Sequence, residues 1–372
     1  MITKVHAAVA AACAAGLAVG AGTAALASPA AVPPAPSRLH GVYRPGGVSA
    51  LASALPGDLI SVAASSGRNA WAVGTGSDPL DVRWNGTTWK QVPHPFVTWL
   101  VGVAASSARS AWAVGFTDYP QPLIARWDGA RWKPAYAPAS LGILSGVAAI
   151  TARNVWAVGG TGAPPPGPGT SQTLILHWNG TRWKRVPSPD PAPSCFLYTV
   201  AALSARDIWA TGVKQTRTGQ RPLIQHWNGT AWKTVSIPGL GPHARLPGIA
   251  GTSPRNLWLA GTTGARTLIL HFNGTRWQRV PSPDPAGGGT LGAVAALSAR
   301  DAWAVGTTRS ARELILHWNG TTWNVARSPD PAAKVYLNAI AATSARNIWA
   351  VGGHRPAGKA LILHFNGTRW SS

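Results

Sequence analysis

Short hydrophobic runs alternate with polar turns along this chain and recur as one repeated unit. Each unit begins with a stretch of the form Leu-x-x-Val-Ala-Ala, passes through Ser-Ala-Arg-Asp/Asn and reads Trp-Ala-Val-Gly. After a variable loop it ends with Leu-Ile-Leu-His-Trp-Asn-Gly-Thr-Arg-Trp. The first Trp of the unit recurs at intervals of 41 to 53 residues, at Trp71, Trp112, Trp156, Trp209, Trp258, Trp303 and Trp349.

Each unit contains four short runs rich in Val, Ile, Leu and Trp. In the third unit we expect strands over Leu144–Ile150, Asn154–Gly159, Thr173–Trp178 and Thr181–Val186. None is long enough for a periodic helix, and Asn-Gly between the third and fourth runs is a hairpin signal. Four strands per unit in seven units predict an all-β, seven-bladed β-propeller of four-stranded blades over residues 59–372.

Tryptophan is the most unusual feature of the composition, and 19 of the 20 Trp residues hold repeat positions. The last Trp of the unit recurs seven times, and the residue five positions before it is Trp in five units and Phe in two. Because a buried Trp covers roughly 150–250 Å², we expect these rings to pack between blades. Trp99 is the one Trp that the repeat does not require.

The Trp-Ala-Val-Gly and Trp-Asn-Gly-Thr-Arg-Trp motifs resemble those of secreted bacterial propellers, in the broad kelch/galactose-oxidase-like and Asp-box-like group. The resemblance covers Leu59 to Trp370. It departs from an Asp-box because Asn179 directly precedes Gly180, and the double Gly and Tyr of kelch units are absent. It therefore implies the fold and carries no activity across.

The N-terminus is typical of a secretory signal. Lys4 precedes an apolar run from Ala7 to Ala24, and Ala25-Leu26-Ala27 fits a cleavage site, so residues 1–27 are predicted to be removed. An uncleaved anchor is the alternative, and no later segment approaches a membrane span. Residues 28–58 are predicted to be a linker in which His40 to Ser53 either closes the ring by pairing with blade seven or remains a plain linker.

The net charge is +22, with 11 acidic residues. Such a surface attracts polyanions, and the predicted secreted location favours an anionic polysaccharide or cell-wall polymer, or a protein partner, over nucleic acid. The composition and the Ala-rich signal are typical of bacterial proteins. Cys13 lies in the signal, so the mature chain keeps Cys195 alone and has no internal disulfide.

The titratable residues do not predict a catalytic or metal site. Six of the carboxylates lie at turn positions, and the others come from scattered units. The histidines at one third-strand position would form a wide ring that cannot converge on a metal, so we interpret them as structural: His177, His226, His271, His317 and His364. The Asn-Gly-Thr sequons are interpreted as turns, and no cofactor is expected.

A propeller blade sends its first–second and third–fourth turns to one face and its other loops to the opposite face. The first set is nearly constant in sequence, and we call its side the constant face. The second set varies, as in Gly160–Ser171, Val213–Arg221 and Pro242–Arg245, and its side is called the variable face. Variable loops on one face indicate a binding or scaffold protein; the alternative is a secreted carbohydrate-active lyase or hydrolase that uses the central channel.

On the variable face we expect exposed aromatic rings that stack on sugars, with cations nearby that hold acidic groups. The candidate ligand-binding residues are Trp99, Phe116, Tyr119, Tyr198, Arg217, Arg221, His243 and Arg245. Phe196 belongs to the same aromatic cluster as Tyr198. The alternative for Trp99 is that it fills the hydrophobic space between two blades.

On the constant face each unit carries an Arg three residues before its first Trp. These residues are Arg68, Arg109, Arg153, Arg206, Arg255, Arg300 and Arg346. Equivalent positions predict a basic ring, which would form a collar for an anionic polymer. The alternative is that each Arg stacks on a Trp or bonds carbonyls between blades.

Overall fold

The computed structural model describes residues 55–76, 79–93, 99–117, 121–139, 141–165, 167, 169–285, 287–329, 334–355 and 358–372. These residues form seven four-stranded antiparallel sheets, each built from consecutive strands, so the predicted seven-bladed β-propeller is confirmed. No helix in these ranges is long and apolar enough to cross a membrane. The predicted signal, the segment His40 to Ser53 and Tyr119 lie outside the described residues.

Blades one to four follow the repeat in chain order. Blade one comprises β1 (Asp58–Ser66), β2 (Asn69–Thr75), β3 (Leu80–Trp84) and β4 (Trp89–Gln91). Blade two comprises β5 (Trp99–Ser107), β6 (Ser110–Phe116), β7 (Pro122–Trp127) and β8 (Trp132–Ala135). Blade three comprises β9 (Ile143–Thr151), β10 (Asn154–Gly160), β11 (Thr173–Trp178) and β12 (Trp183–Arg185). Blade four comprises β13 (Ser194–Ser204), β14 (Asp207–Thr216), β15 (Gly219–Trp227) and β16 (Trp232–Thr234).

Blades five to seven complete the ring. Blade five comprises β17 (Ala244–Ser253), β18 (Asn256–Thr263), β19 (Arg266–Phe272) and β20 (Trp277–Val280). Blade six comprises β21 (Gly289–Ser298), β22 (Asp301–Thr308), β23 (Glu313–Trp318) and β24 (Trp323–Val325). Blade seven comprises β25 (Val335–Ser344), β26 (Asn347–His354), β27 (Ala360–Phe365) and β28 (Trp370–Ser371).

The first strand of each blade lies nearest the axis, where it contacts the first strands of the blades on both sides. Every first strand carries a β-bulge just after its variable-face end, as between Leu59 and Ser61 in β1. A bulge bends the strand and re-aims the extra residue. The bulge brings the first-strand carbonyl close to the last glycine of Trp-Ala-Val-Gly, as at Ile143 and Gly159.

The core lies between blades, as expected from the tryptophan positions. Trp71 of blade one, for example, is fully buried and makes edge contacts with Trp127 and Trp132 of blade two, at centroid distances of 4.6 and 5.0 Å. Trp349 of blade seven lies 5.0 Å from both Trp84 and Trp89 of blade one, tilted against the first ring and edge-on to the second. The same indole cluster is thus used at ordinary boundaries and at the ring closure.

The recurring histidine is part of a hydrogen-bonded unit within its blade. In blade four the His226 ring stacks on Trp209 at 4.1 Å, and its Nε2 lies 2.7 Å from an Asp207 carboxylate oxygen. The same oxygen accepts a hydrogen bond from the Trp209 indole N–H. In blade one Arg83 takes the histidine's place, with its guanidinium over Trp71 and bonded to Asn69. Each histidine therefore has a local structural role.

Candidate functional site

On the variable face, blades one to four share a hydrophobic cluster at the ends of their inner strands. Its buried members are Val101, Phe116, Ile143, Phe196 and Val213, and the partly buried residues against it are Ile60, Trp99, Ala163 and Tyr198. The cluster forms because the first strands converge at the axis. The cluster brings together three residues that the sequence analysis proposed as separate candidates: Trp99, Phe116 and Tyr198.

Two aromatic residues of this cluster differ from the sequence expectation. Phe116 is 2% exposed and ends β6, and Phe196 is fully buried in β13. Both rings face the shared cluster, so neither is available to stack on a sugar. The prediction that they are exposed loop aromatics is therefore wrong.

Trp99 begins β5 and pairs in register with Phe116. Its ring meets the Phe116 ring edge-on at 6.2 Å, and the side chain is partly buried. Tyr198 is also partly buried and lies 5.4 Å from Phe196. Each of these two residues thus has one side against the buried cluster and some surface left in solvent.

Gln220 accepts hydrogen bonds from two arginines of neighbouring blades, Arg221 of blade four and Arg245 of blade five. Its backbone carbonyl accepts a hydrogen bond from Arg221, and its side-chain oxygen accepts one from Arg245. The Gln220 amide donates to the Pro165 carbonyl at 2.7 Å, which anchors the arrangement to the blade-three loop. These contacts are possible because the β14–β15 hairpin is long enough for Gln220 to reach the start of β17.

The electrostatics of this arrangement favour an added negative charge. Burial lowers the pKa of Arg245, the charge of Arg221 lowers this pKa further, and Tyr198 opposes the shift. No carboxylate in the described ranges forms an ion pair with Arg221 or Arg245. An oxyanion placed between the two guanidiniums would relieve their repulsion and accept charge-assisted hydrogen bonds.

The remaining described candidate residues of this face make fewer contacts. Arg217 lies at the tip of the β14–β15 hairpin and is exposed. His243 is exposed just before β17, and its carbonyl accepts a hydrogen bond from Gly264. These two residues flank the Gln220 arrangement without contributing to its hydrogen bonds.

A polar group at the junction of blades seven and one was missed by the sequence reasoning. Burial raises the pKa of Tyr336 well above its usual range, and a hydrogen bond to Asp58 raises it further. The Arg355 guanidinium lies 5.1 Å from the centre of the Tyr336 ring. Tyr336 occupies in β25 the position of Trp99 in β5, so an alignment of first strands could have found it.

Most described carboxylates are engaged in local structure. Asp207 and Asp301 bond to the histidine and tryptophan of their blades. Asp190 and Asp284 accept hydrogen bonds from the backbone N–H groups of Thr173 and Thr267. Asp128 closes the hairpin turn and pairs with Lys133 at 2.8 Å. These contacts account for them as structural residues rather than as an acid–base pair.

The single cysteine of the described chain is also structural. Cys195 is fully buried, and burial raises the pKa of its thiol to about 11. A thiol with such a raised pKa carries little thiolate at neutral pH, and thiolate is the nucleophilic form. Cys195 is therefore a buried core residue.

The seven arginines of the basic ring are all exposed on the constant face. In each blade the Arg stem lies against the turn glycine of the third–fourth hairpin, as Arg153 does at Gly180. Among the described residues, the arginines that stack on indoles are Arg83 and Arg126, on third strands. The alternative in which the ring arginines are held by Trp stacking or inter-blade carbonyls finds no support in the described contacts.

No protein-family model matches the chain, and no curated protein is similar to it in sequence. Several solved structures are similar in fold. YCF48 bound to D1 peptide is 14% identical with a TM-score of 0.60, covering 84% of this chain and 94% of that chain. The GH74 xyloglucanase from Xanthomonas campestris is 17% identical with a TM-score of 0.59, covering 85% and 53%. A mutant Aleuria aurantia lectin in complex with Fucalpha1-6GlcNAc is 13% identical with a TM-score of 0.50, covering 73% and 93%. At such identities these similarities show that the chain is a β-propeller.

Proposed function

We propose that this chain is a secreted, non-catalytic binding propeller that holds acidic polysaccharide on its variable face. The observation that carries the proposal is the pair Arg221 and Arg245, both bonded to Gln220, with Tyr198 close enough to Arg245 to affect its pKa. The secreted location rests on the N-terminal sequence. The kelch-like or Asp-box-like and bacterial affinities remain predictions from the repeat motifs.

The arginine pair selects for a negatively charged group on the ligand. Arg presents a planar fork that matches a carboxylate with two parallel hydrogen bonds. The two guanidiniums are already held by hydrogen bonds to Gln220, to the Thr218 hydroxyl and to the Ala244 carbonyl, so little side-chain entropy is lost on binding. A uronate carboxylate or a sulfate ester has the oxyanion chemistry that this pair would bind.

The partly exposed aromatic residues supply the apolar part of the site. Tyr198 lies close enough to Arg245 to affect its pKa, and Trp99 belongs to the same hydrophobic cluster as Tyr198. Sugar rings have apolar faces that pack on aromatic rings, which are rigid and amphipathic. The aromatic and cationic residues are spread over several blades on the variable face. This distribution favours a polymer that contacts several blades as the ligand, rather than a monosaccharide.

Two other functions fit the fold less well. A glycan hydrolase needs a positioned acid and base, and five described carboxylates already have structural partners. A protein partner is the second candidate, because YCF48, a propeller of similar fold, binds the D1 peptide. An acidic peptide would use the same arginine pair, so peptide competition belongs in the test.

The test compares retention of the protein on polygalacturonate, which is acidic, with retention on neutral xyloglucan. We expect stronger retention on polygalacturonate. The double variant Arg221→Gln/Arg245→Gln should weaken it at least tenfold, because each charge-assisted hydrogen bond contributes roughly 1.5–3 kcal/mol. Arg185→Gln/Arg279→Gln removes the same charge from exposed outer strands and should retain most of the binding.

The aromatic part of the site is tested separately. Trp99→Leu keeps the apolar contact with Phe116 but removes the flat ring, so retention should fall while the melting temperature changes by a few degrees at most. Tyr136→Leu is the control, because Tyr136 is 85% exposed in the β8 region away from this cluster. Equal losses in both variants, or equal retention on the neutral polymer, would rule out the variable face as the acidic-glycan site. Displacement of the protein by an acidic peptide but not by oligogalacturonate would favour the protein partner.

A further inference from the structure

The constant face carries a repeated cation that the fold itself does not use. Each of the seven ring arginines follows a Ser or Thr by two residues, and that hydroxyl accepts a hydrogen bond from the Arg backbone N–H, as Ser204 does from Arg206 at 3.2 Å. This Ser/Thr turn fixes where each Arg side chain leaves the backbone. The turn geometry is therefore the same in all blades.

Other contacts of this turn explain why its other residues also vary little from blade to blade. In blades one, four and six the third-strand indole N–H donates to the carbonyl of the residue before the Arg, as Trp227 does to Ala205. The hairpin Asn accepts hydrogen bonds from its own turn, as Asn228 does from Thr230 and Ala231. The hairpin glycine, such as Gly229, has a positive φ and receives the Arg206 stem.

These contacts use the methylene stem of the Arg and leave its charged end in solvent. Within the described ranges, no hydrogen bond, ion pair or cation–π contact engages any of the seven guanidiniums. Lys, Gln, Glu or Met has a stem that could cover the glycine equally well. Packing alone therefore does not account for Arg in seven of seven blades.

Other charges on the same face reinforce the ring. Four blades add a second exposed Arg in the third–fourth turn: Arg131, Arg182, Arg276 and Arg369. Three described carboxylates lie at these turns: Asp128 pairs with Lys133, and Asp207 and Asp301 bond to the histidine and tryptophan of their blades. In the described turns of the constant face, eleven arginines therefore stand against three carboxylates, which leaves an excess of positive charge round its perimeter.

We propose that this ring of seven guanidiniums is a second binding site, for a flexible anionic polysaccharide held through its oxyanion groups. Like-charged side chains at equivalent positions around a circle are complementary to a chain that can bend along that circle. Duplex DNA, with a persistence length of about 50 nm, can cross the ring but cannot follow it. This site is on the face opposite the Arg221–Arg245 pair and does not depend on it.

The decisive experiment measures heparin affinity against salt concentration for the full chain. Binding through several ionic contacts should weaken linearly on a logarithmic salt scale, with a slope set by the number of contacts. The ring variant Arg68→Gln/Arg153→Gln/Arg255→Gln/Arg346→Gln should reduce this slope by several contacts. The control Lys184→Gln/Arg185→Gln/Lys233→Gln/Arg279→Gln removes four exposed charges from outer strands and should change the slope by clearly less.

A second variant has Lys at the same four ring positions, which keeps the positive charge and a methylene stem. This variant should fold and retain most of the salt dependence, which gives a reading even if the Gln variant is unstable. Equal slope reductions in the ring and control variants would overturn the proposal, because attraction would then come from overall charge. A duplex DNA slope as steep as the heparin slope would also overturn it, in favour of nucleic acid. The Arg221→Gln/Arg245→Gln variant should reduce the heparin slope by clearly fewer contacts than the ring variant does, and a reduction as large as that of the ring variant would overturn the proposal in favour of the variable-face site.

Discussion

At the scale of single residues, departures from the repeat indicate where the sequence serves something other than packing. Asp81 is one of them, because the equivalent third-strand position is Ile in blade three (Ile175) and in every later blade. Asp81 is 1% exposed, and burial raises its pKa to about 8. The position was not predicted to be a buried carboxyl, because turn-rich sequences place most Asp residues at the surface.

Asp81 should make the stability of the propeller depend on pH. An unfolded Asp loses its proton near pH 3.9, whereas the folded Asp81 keeps it up to about pH 8. The native state therefore binds more protons between these values, and the free energy of unfolding should fall by up to about 1.4 kcal/mol per pH unit as pH rises from about 4 to 8. It should then level off. Asp81→Asn should remove this slope in urea unfolding measured from about pH 4.5 to 8.5, and parallel curves for the two proteins would contradict the prediction.

At the scale of strands, the repeat pattern predicts the fold well because local signals agree with the tertiary structure. In blade three the expected second and third strands match β10 and β11 to within one residue. The outer strand is shorter than expected, because β12 spans Trp183–Arg185 only. The burial of Phe116 was not predictable, since it depends on the bulged start of β5 and on three neighbouring blades.

The glycine that ends Trp-Ala-Val-Gly should tolerate no side chain. A Cβ at Gly159 would collide with the Ile143 carbonyl of the paired strand, a backbone atom that cannot move without breaking the bulge. Gly159→Ala should therefore lower the free energy of unfolding by about 2–3 kcal/mol. Gly219→Ala is the control, because Gly219 has a φ of +106° but a Cβ added there would meet no atom within 4 Å, and it should cost about 1–2 kcal/mol. Thermal or urea unfolding measures both, and a smaller cost at Gly159 would refute the steric explanation.

At the scale of the whole molecule, the blades pack against one another in the same way but carry different polar and charged groups on the variable face. The indole clusters and the arginine ring repeat round the axis, so the sequence predicts them once the unit is recognised. Among the described residues the Gln220 arrangement occurs once, and it joins β15 of blade four, the start of β17 of blade five and the blade-three loop that contains Pro165. A repeat pattern cannot predict it, because loop length and side-chain direction are set by the particular neighbours.

Closure of the ring also depends on single residues. Blade seven contains its own four consecutive strands, and the predicted pairing of His40 to Ser53 with it lies outside the described residues. Within the described chain, the Leu55 carbonyl accepts a hydrogen bond from Ala360 at 3.1 Å, and Asn338 donates to the Leu59 carbonyl at 2.8 Å. Blades one and seven are therefore joined by contacts like those inside the ring.

If these contacts close the ring, breaking one should act like breaking any other blade boundary. Asn338→Ala leaves the buried Leu59 carbonyl without this donor and should cost about 1–3 kcal/mol. Ser145→Ala is the matched change inside the ring, because Ser145 occupies the same bulge position and donates to the Leu197 carbonyl at 2.6 Å. We expect both variants to unfold in one transition, lowered by similar amounts, since each blade of a closed ring is supported on both sides. Hydrogen exchange provides the sharper measurement, because it reports the stability of each blade separately. If blades one and seven of Asn338→Ala exchange their amide protons before the other blades do, the boundary at the ring closure is weaker than the boundaries inside the ring.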